Sequence, residues 1–140
     1  MPRLLLALFL LCAGLIASAQ QPAQTTRPPT AVTANFTGSV RGLDSADVRS
    51  SRFQYDAGAR SYWHSHEGIQ ILLLERGSGR MQLQGQKMQE LTPGQPVVLP
   101  AGVMHWHGAA PDQGLTQIAV NVGAAKWGSA VTDDEYLGRK

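Results

Sequence analysis

Cysteine is nearly missing from this chain: Cys12 is the one thiol in 140 residues. It sits in a stretch the sequence marks for removal. Arg3, the apolar run Leu4 to Ile16 and the triplet Ala17-Ser18-Ala19 follow the charged, apolar, small-x-small order of a secretory signal peptide, with cleavage expected before Gln20. Residues 20–140 then hold no thiol, so an exported, periplasmic or secreted protein here folds without disulfides. Long apolar runs are also lacking. The run from Leu4 to Ile16 is 13 residues, too short for a comfortable bilayer span, so no membrane attachment is expected after cleavage. Leu11 before Cys12, where a small residue would be needed, argues against a lipid anchor. An excess of one charge is absent too: 12 Lys and Arg, Arg3 included, oppose 10 Asp and Glu, and no basic run stands out. That balance excludes nucleic acid and anionic membrane surfaces as expected partners. Finally, no window of about 11 residues carries a 3.6-residue apolar period, which excludes a helical bundle.

What is present reads as strands. Residues 20–34, rich in Gln, Pro, Thr and Ala, offer little to bury and suggest a disordered or extended leader. From Asn35 onward, short β-branched and aromatic runs alternate with Gly and Pro. Strands are expected near Phe36 to Val40, Ser50 to Tyr55, Ser61 to His66, Gln70 to Arg76, Arg80 to Gln84, Lys87 to Leu91, Pro96 to Leu99, His105 to Gly108 and Leu115 to Asn121. So many short strands call for one all-β domain over 35–140, a closed antiparallel barrel or double-sheet jelly roll that buries one face of each strand. Near the end, Thr132 or Asp133 could start one helical turn supported by Glu135.

All four histidines lie in two short pieces, Tyr62-Trp63-His64-Ser65-His66 and His105-Trp106-His107. Side chains alternate across a strand, so His64 and His66 share one face, as do His105 and His107. Two imidazoles on one strand, a third from another and the nearby oxygen donor of Gln70 make a four-ligand set for a divalent metal. Trp63 and Trp106 take the opposite face, as core or interface aromatics. Glu67, of opposite parity to His66, is expected to be solvated.

The spacing of these residues resembles the cupin superfamily. Its first motif, G-x5-H-x-H-x3,4-E-x6-G, is matched by Gly58, His64, His66, Gln70 and Gly77, with Gln in place of Glu; its second, G-x5-P-x-G-x2-H-x3-N, by Gly94, Pro100, Gly102 and His105, with Ala109 in place of Asn. The motif glycines and prolines are expected at tight corners that hold the strands in register. Adding Phe36-Thr37-Gly38-Ser39-Val40-Arg41 and Val131-Thr132-Asp133-Asp134-Glu135-Tyr136, nearly the whole chain beyond Gln20 is similar to small bacterial cupins that include manganese-dependent hydroxynitrile lyases. That resemblance implies metal ligation by His64, His66, Gln70 and His105, an active-site role for His107, one divalent ion per chain (Mn2+, with Fe2+, Ni2+, Co2+ or Zn2+ as other occupants) and a homodimer or homotetramer.

A neutral amide at position 70 leaves the charge of the ion uncompensated and favours Lewis-acid work over redox cycling. Parity makes His107 the candidate base. Gln117 stands where the lyases are expected to carry another histidine, which bears on the specific reaction without touching the metal ligands. Tyr62, Ser51, Phe53, Gln117, Ala119 and Asn121 are the further candidates for a pocket holding a small-molecule substrate. Three readings follow: a lyase acting on a small carbonyl, hydroxy acid or cyanohydrin; a dioxygenase of enolisable substrates; or a non-catalytic binding module.

Overall fold

A computed structural model describes Thr30, Ala31 and residues 35–139. The expected signal peptide lies outside the described residues, as does the leader apart from Thr30 and Ala31. The strands are β1 (Thr30–Ala31), β2 (Arg41–Gly42), β3 (Val48–Tyr55), β4 (His64–His66), β5 (Gln70–Gly77), β6 (Gly79–Leu83), β7 (Gln89–Leu91), β8 (Val97–Leu99), β9 (His105–Ala109), β10 (Leu115–Val122) and β11 (Ala125–Trp127), followed by one helical turn, α1 (Asp133–Tyr136). Beyond the small β1-β2 pair they form a four-stranded sheet, β3-β10-β5-β8, and a five-stranded sheet, β11-β4-β9-β6-β7. All pairings are antiparallel, and the two sheets close on each other as a single-domain barrel.

The barrel interior is filled by Leu72, Leu74, Met81, Leu91, Leu99, Ala109, Leu115 and Ala119, contributed by both sheets. Period-2 alternation explains the choice: in β5, Gln70, Leu72 and Leu74 are buried while Ile71 and Leu73 between them are only half-buried. A bulge at the Thr116/Gln117 step of β10 against β5 shifts the register there, yet Gln117 stays inside, opposite Leu74 and Phe53. The motif glycines Gly58, Gly77, Gly94 and Gly102 all have positive φ, as corner positions require. At Gly77 the demand is double, because a Cβ would also run into the Gly114 carbonyl oxygen.

The outer face of the five-stranded sheet carries a second apolar cluster. Trp63 and Trp106 are covered by Val131 and Tyr136 from the C-terminal segment, with Met88 and Met104 packed alongside. α1 is begun by a capping box, Thr132 accepting from the Glu135 N–H while the Glu135 carboxylate accepts from the Thr132 N–H. Tyr136 donates to the Ala109 carbonyl at 2.7 Å, Arg60 lies over its ring, and Arg60 also pairs with Asp133.

Two expectations need correction. Phe36 to Val40 is a bend at Thr37 and Gly38 flanked by irregular backbone instead of strand, because Gly38 at φ 85° breaks the extended run; only Arg41–Gly42 pairs there. Conversely, β11 is a strand that the sequence does not advertise: three exposed residues, Ala125, Lys126 and Trp127, with no alternation to betray them.

Candidate metal centre

Cross-strand register builds the site. His64 is directly opposite His105 between β4 and β9, and Trp127 is directly opposite His64 between β11 and β4, so all three side chains share one face. Their rings touch in sequence, His64 to His105 at 4.3 Å between centroids and Trp127 to His64 at 4.7 Å, tilted by 30°. In the other sheet, Gln70 on β5, Asn121 on β10 and Arg49 on β3 form a matching row. The two rows meet where Gln70 Oε1 comes within 2.9 Å of His105 Nε2. His64, His66 and His105 are buried, with potential ligand atoms all within 4.8 Å of one another.

The hydrogen bonds fix which atoms face inward. His64 Nδ1 donates to the Tyr62 carbonyl at 2.9 Å and His105 Nδ1 to the Val103 carbonyl at 2.8 Å, which leaves each Nε2 with a lone pair. Gln70 donates its amide N–H to Asn121 Oδ1 at 2.8 Å, so its oxygen is held toward His105. Two lone-pair atoms therefore confront each other at 2.9 Å. Two ligands held at right angles by one ion, each at about 2.1 Å, stand about 3 Å apart, so this confrontation is what a shared cation relieves. His66 adds a second indication: both ring nitrogens are buried without a hydrogen-bond partner. Burial pushes His105 down to about 4, and lowers His64 and His66 as well, so all three are neutral imidazoles near pH 7, the form that binds metal. The residues present thus fit a divalent ion.

His107 lies next to this cluster, its ring 5.3 Å from that of His64 and 6.3 Å from that of Tyr55. Burial holds its pKa well below 6.5, with His64, His105 and His66 adding to the effect. Its Nδ1 faces the Gln117 amide nitrogen at 3.3 Å, while Gln117 Oε1 is buried without a partner.

A cavity of about 740 Å3 opens beside His66. Of the expected pocket residues, Ser51 and Asn121 line it, together with the metal candidate His66. Gln117 is fully buried against His107, and Ala119 is part of the barrel core. Phe53 and Tyr62 are 48% and 57% exposed and are not among the lining residues; from Tyr62 the site uses the backbone carbonyl. Glu67 is exposed, as expected, and caps the Ala124 N–H at the cavity rim. The sequence reading missed Trp127 and Arg49, both lining the cavity. Arg49 had a usable signal, since it shares parity with Ser51 and Phe53 on β3.

The geometry and the motif residues agree with what comparison finds. A cupin domain model matches residues 51–120. This chain belongs to the cupin family. It is 36% identical over 111 residues to an (R)-mandelonitrile lyase of Granulicella tundricola, an alignment covering 72% of this chain and 85% of that one. Among solved structures, a cupin-like protein of Thermotoga maritima superposes with a TM-score of 0.63 at 33% identity, covering 83% of this chain and 95% of that chain. The DMSP lyase DddQ of Ruegeria pomeroyi, with a TM-score of 0.52 at 20% identity over 66% of this chain and 46% of that chain, shares the cupin fold.

Proposed function

We propose that this cupin is an exported, metal-dependent lyase acting on a small carbonyl, hydroxy acid or cyanohydrin, with His64, His66, Gln70 and His105 as metal ligands and His107 as the proton carrier. The observation that carries the reading is the neutral ligand set, three imidazoles and an amide oxygen turned toward one point, beside a buried histidine that is not part of it. Similarity to a mandelonitrile lyase supports the reaction class. A bound divalent ion, Mn2+ in this proposal, supplies a Lewis acid for a substrate oxygen without a ligand carboxylate to offset its charge.

The chain's own residues do the rest. The Tyr62 and Val103 carbonyls lock the tautomers of His64 and His105, and Asn121 aims the Gln70 oxygen. Cleaving a cyanohydrin requires the hydroxyl proton to leave as the C–C electron pair departs with cyanide, giving an aldehyde and, after protonation, hydrogen cyanide. His107 takes that proton only with a free lone pair on the ring nitrogen facing the substrate. With the Gln117 amide donating to Nδ1, the neutral ring carries its proton on Nε2 and is a donor. Turning the Gln117 amide by half a rotation lets Oε1 accept from Nδ1–H and frees Nε2 as a base. Gln117 thus serves either direction of proton transfer.

The remaining proposals are cleavage before Gln20, export to the periplasm or medium, and a homodimer or homotetramer. Assembly is supported by exposed apolar side chains such as Val48, Phe53 and Val98 on the sheet-edge strands β3 and β8. The test is benzaldehyde release from mandelonitrile by manganese-loaded protein. Release that is abolished in His64→Ala supports the lyase, and no release by protein carrying stoichiometric metal overturns it.

A further inference from the structure

Arg49 is the feature that the metal site leaves unexplained. It stands on β3 in the same cross-strand row as Asn121 and Gln70, so it shares the face of the sheet that carries them, although it remains exposed to solvent there. It lines the same cavity as His66 and Asn121 and has no hydrogen bond or ion pair among the described residues. The contrast with its neighbours is plain: Arg52, of outer parity, pairs with Glu75, and Arg60 pairs with Asp133. Two carboxylates also reach the cavity, Asp47 and Glu67, but the Glu67 oxygen is engaged by the Ala124 N–H and neither lies within ion-pair distance of Arg49. An unpaired guanidinium at the wall of the cavity offers a planar fork of donors suited to a carboxylate, and its exposure leaves it accessible to one. The ligand set adds no negative charge to compete for it.

We propose that Arg49 is a specificity-determining residue that selects substrates bearing a carboxylate, so that of the classes named above the cavity takes a small 2-hydroxy or 2-keto acid in preference to a neutral cyanohydrin. The acid group sits at Arg49 and the neighbouring oxygen is turned toward the histidines. The inference rests on reading His64, His66, Gln70 and His105 as a metal centre, but not on turnover. The plainer role of an exposed charge on a sheet-edge strand is to discourage edge-to-edge pairing, and that role predicts no ligand discrimination.

The experiment is calorimetric titration of the manganese-loaded chain with mandelate and with mandelamide, which share a skeleton and differ by the charge. The wild type is expected to bind mandelate about tenfold tighter, the worth of one charge-assisted contact. Arg49→Gln is expected to erase that preference while leaving mandelamide binding and the unfolding temperature unchanged, and Arg49→Lys to keep part of it. In the wild type the preference should also shrink as salt is raised, a readout that needs no variant. Equal binding of the two ligands by the wild type, binding of neither, or an undiminished preference in Arg49→Gln overturns the proposal. Because no reaction is measured, failure to cleave mandelonitrile leaves these outcomes standing, and elemental analysis of the loaded chain separately tests the metal centre.

Discussion

His66 buries both ring nitrogens without a partner, which costs free energy in the metal-free chain and is recovered when a ligand bond forms. His66→Leu should therefore raise the stability of chelator-treated protein by about 1–2 kcal/mol in urea unfolding while removing stoichiometric metal; a less stable variant would contradict the ligand assignment. Protonation gives a second handle. His105 is held at about 4 when folded and returns to 6.5 when unfolded, so between those values the unfolded chain binds more protons and stability falls as the pH is lowered. For the metal-free chain this residue alone contributes a loss of up to about 3 kcal/mol between about pH 7 and about pH 4. His64, His66 and His107 shift in the same direction and add to it. Urea midpoints at the two pH values measure it, and a flat profile would refute it. At this scale the candidate ligands were legible because histidine is scarce and its spacing is regular. Arg49 offered only its parity with Ser51 and Phe53, because nothing in a list of arginines marks one as unpaired beside a cavity.

At the scale of elements, β5 could be read from its alternation between Gln70 and Leu74, and β3 and β10 from β-branched and aromatic runs bounded by Gly and Pro. β11 could not: its short exposed run acquires meaning only from pairing with β4, which brings Trp127 over His64. The helical turn at Asp133 was readable from its capping box, but its purpose was not, since covering Trp63 and Trp106 is a tertiary fact. That cover backs β9, the strand carrying His105 and His107. Tyr136→Phe removes the bond to the Ala109 carbonyl and should cost about 1 kcal/mol in global unfolding. Hydrogen exchange at the β9 amides should rise with it; unchanged protection would mean the tail is mere cladding.

At the scale of the whole molecule, jelly-roll closure was expected from strand count alone, and the two sheets fulfil it around a continuous interior of Leu, Met and Ala. Leu72, buried at the centre, is the test of that interior: Leu72→Ala should lower stability by about 2–5 kcal/mol whether or not metal is bound, as seen in the urea midpoint. Metal has its own global effect, since a ligand of the folded state at a hundredfold excess over its dissociation constant adds about 2.7 kcal/mol, which chelation should remove from the unfolding curve.

The pairing of His64 with His105 has one more outcome. An ion held by both joins points about 40 residues apart along the chain, closing a loop of the size that a disulfide would close and restricting the unfolded ensemble in the same way for as long as the ion stays attached. In a chain whose lone thiol is Cys12, an occupied centre would supply the cross-link that no disulfide can make.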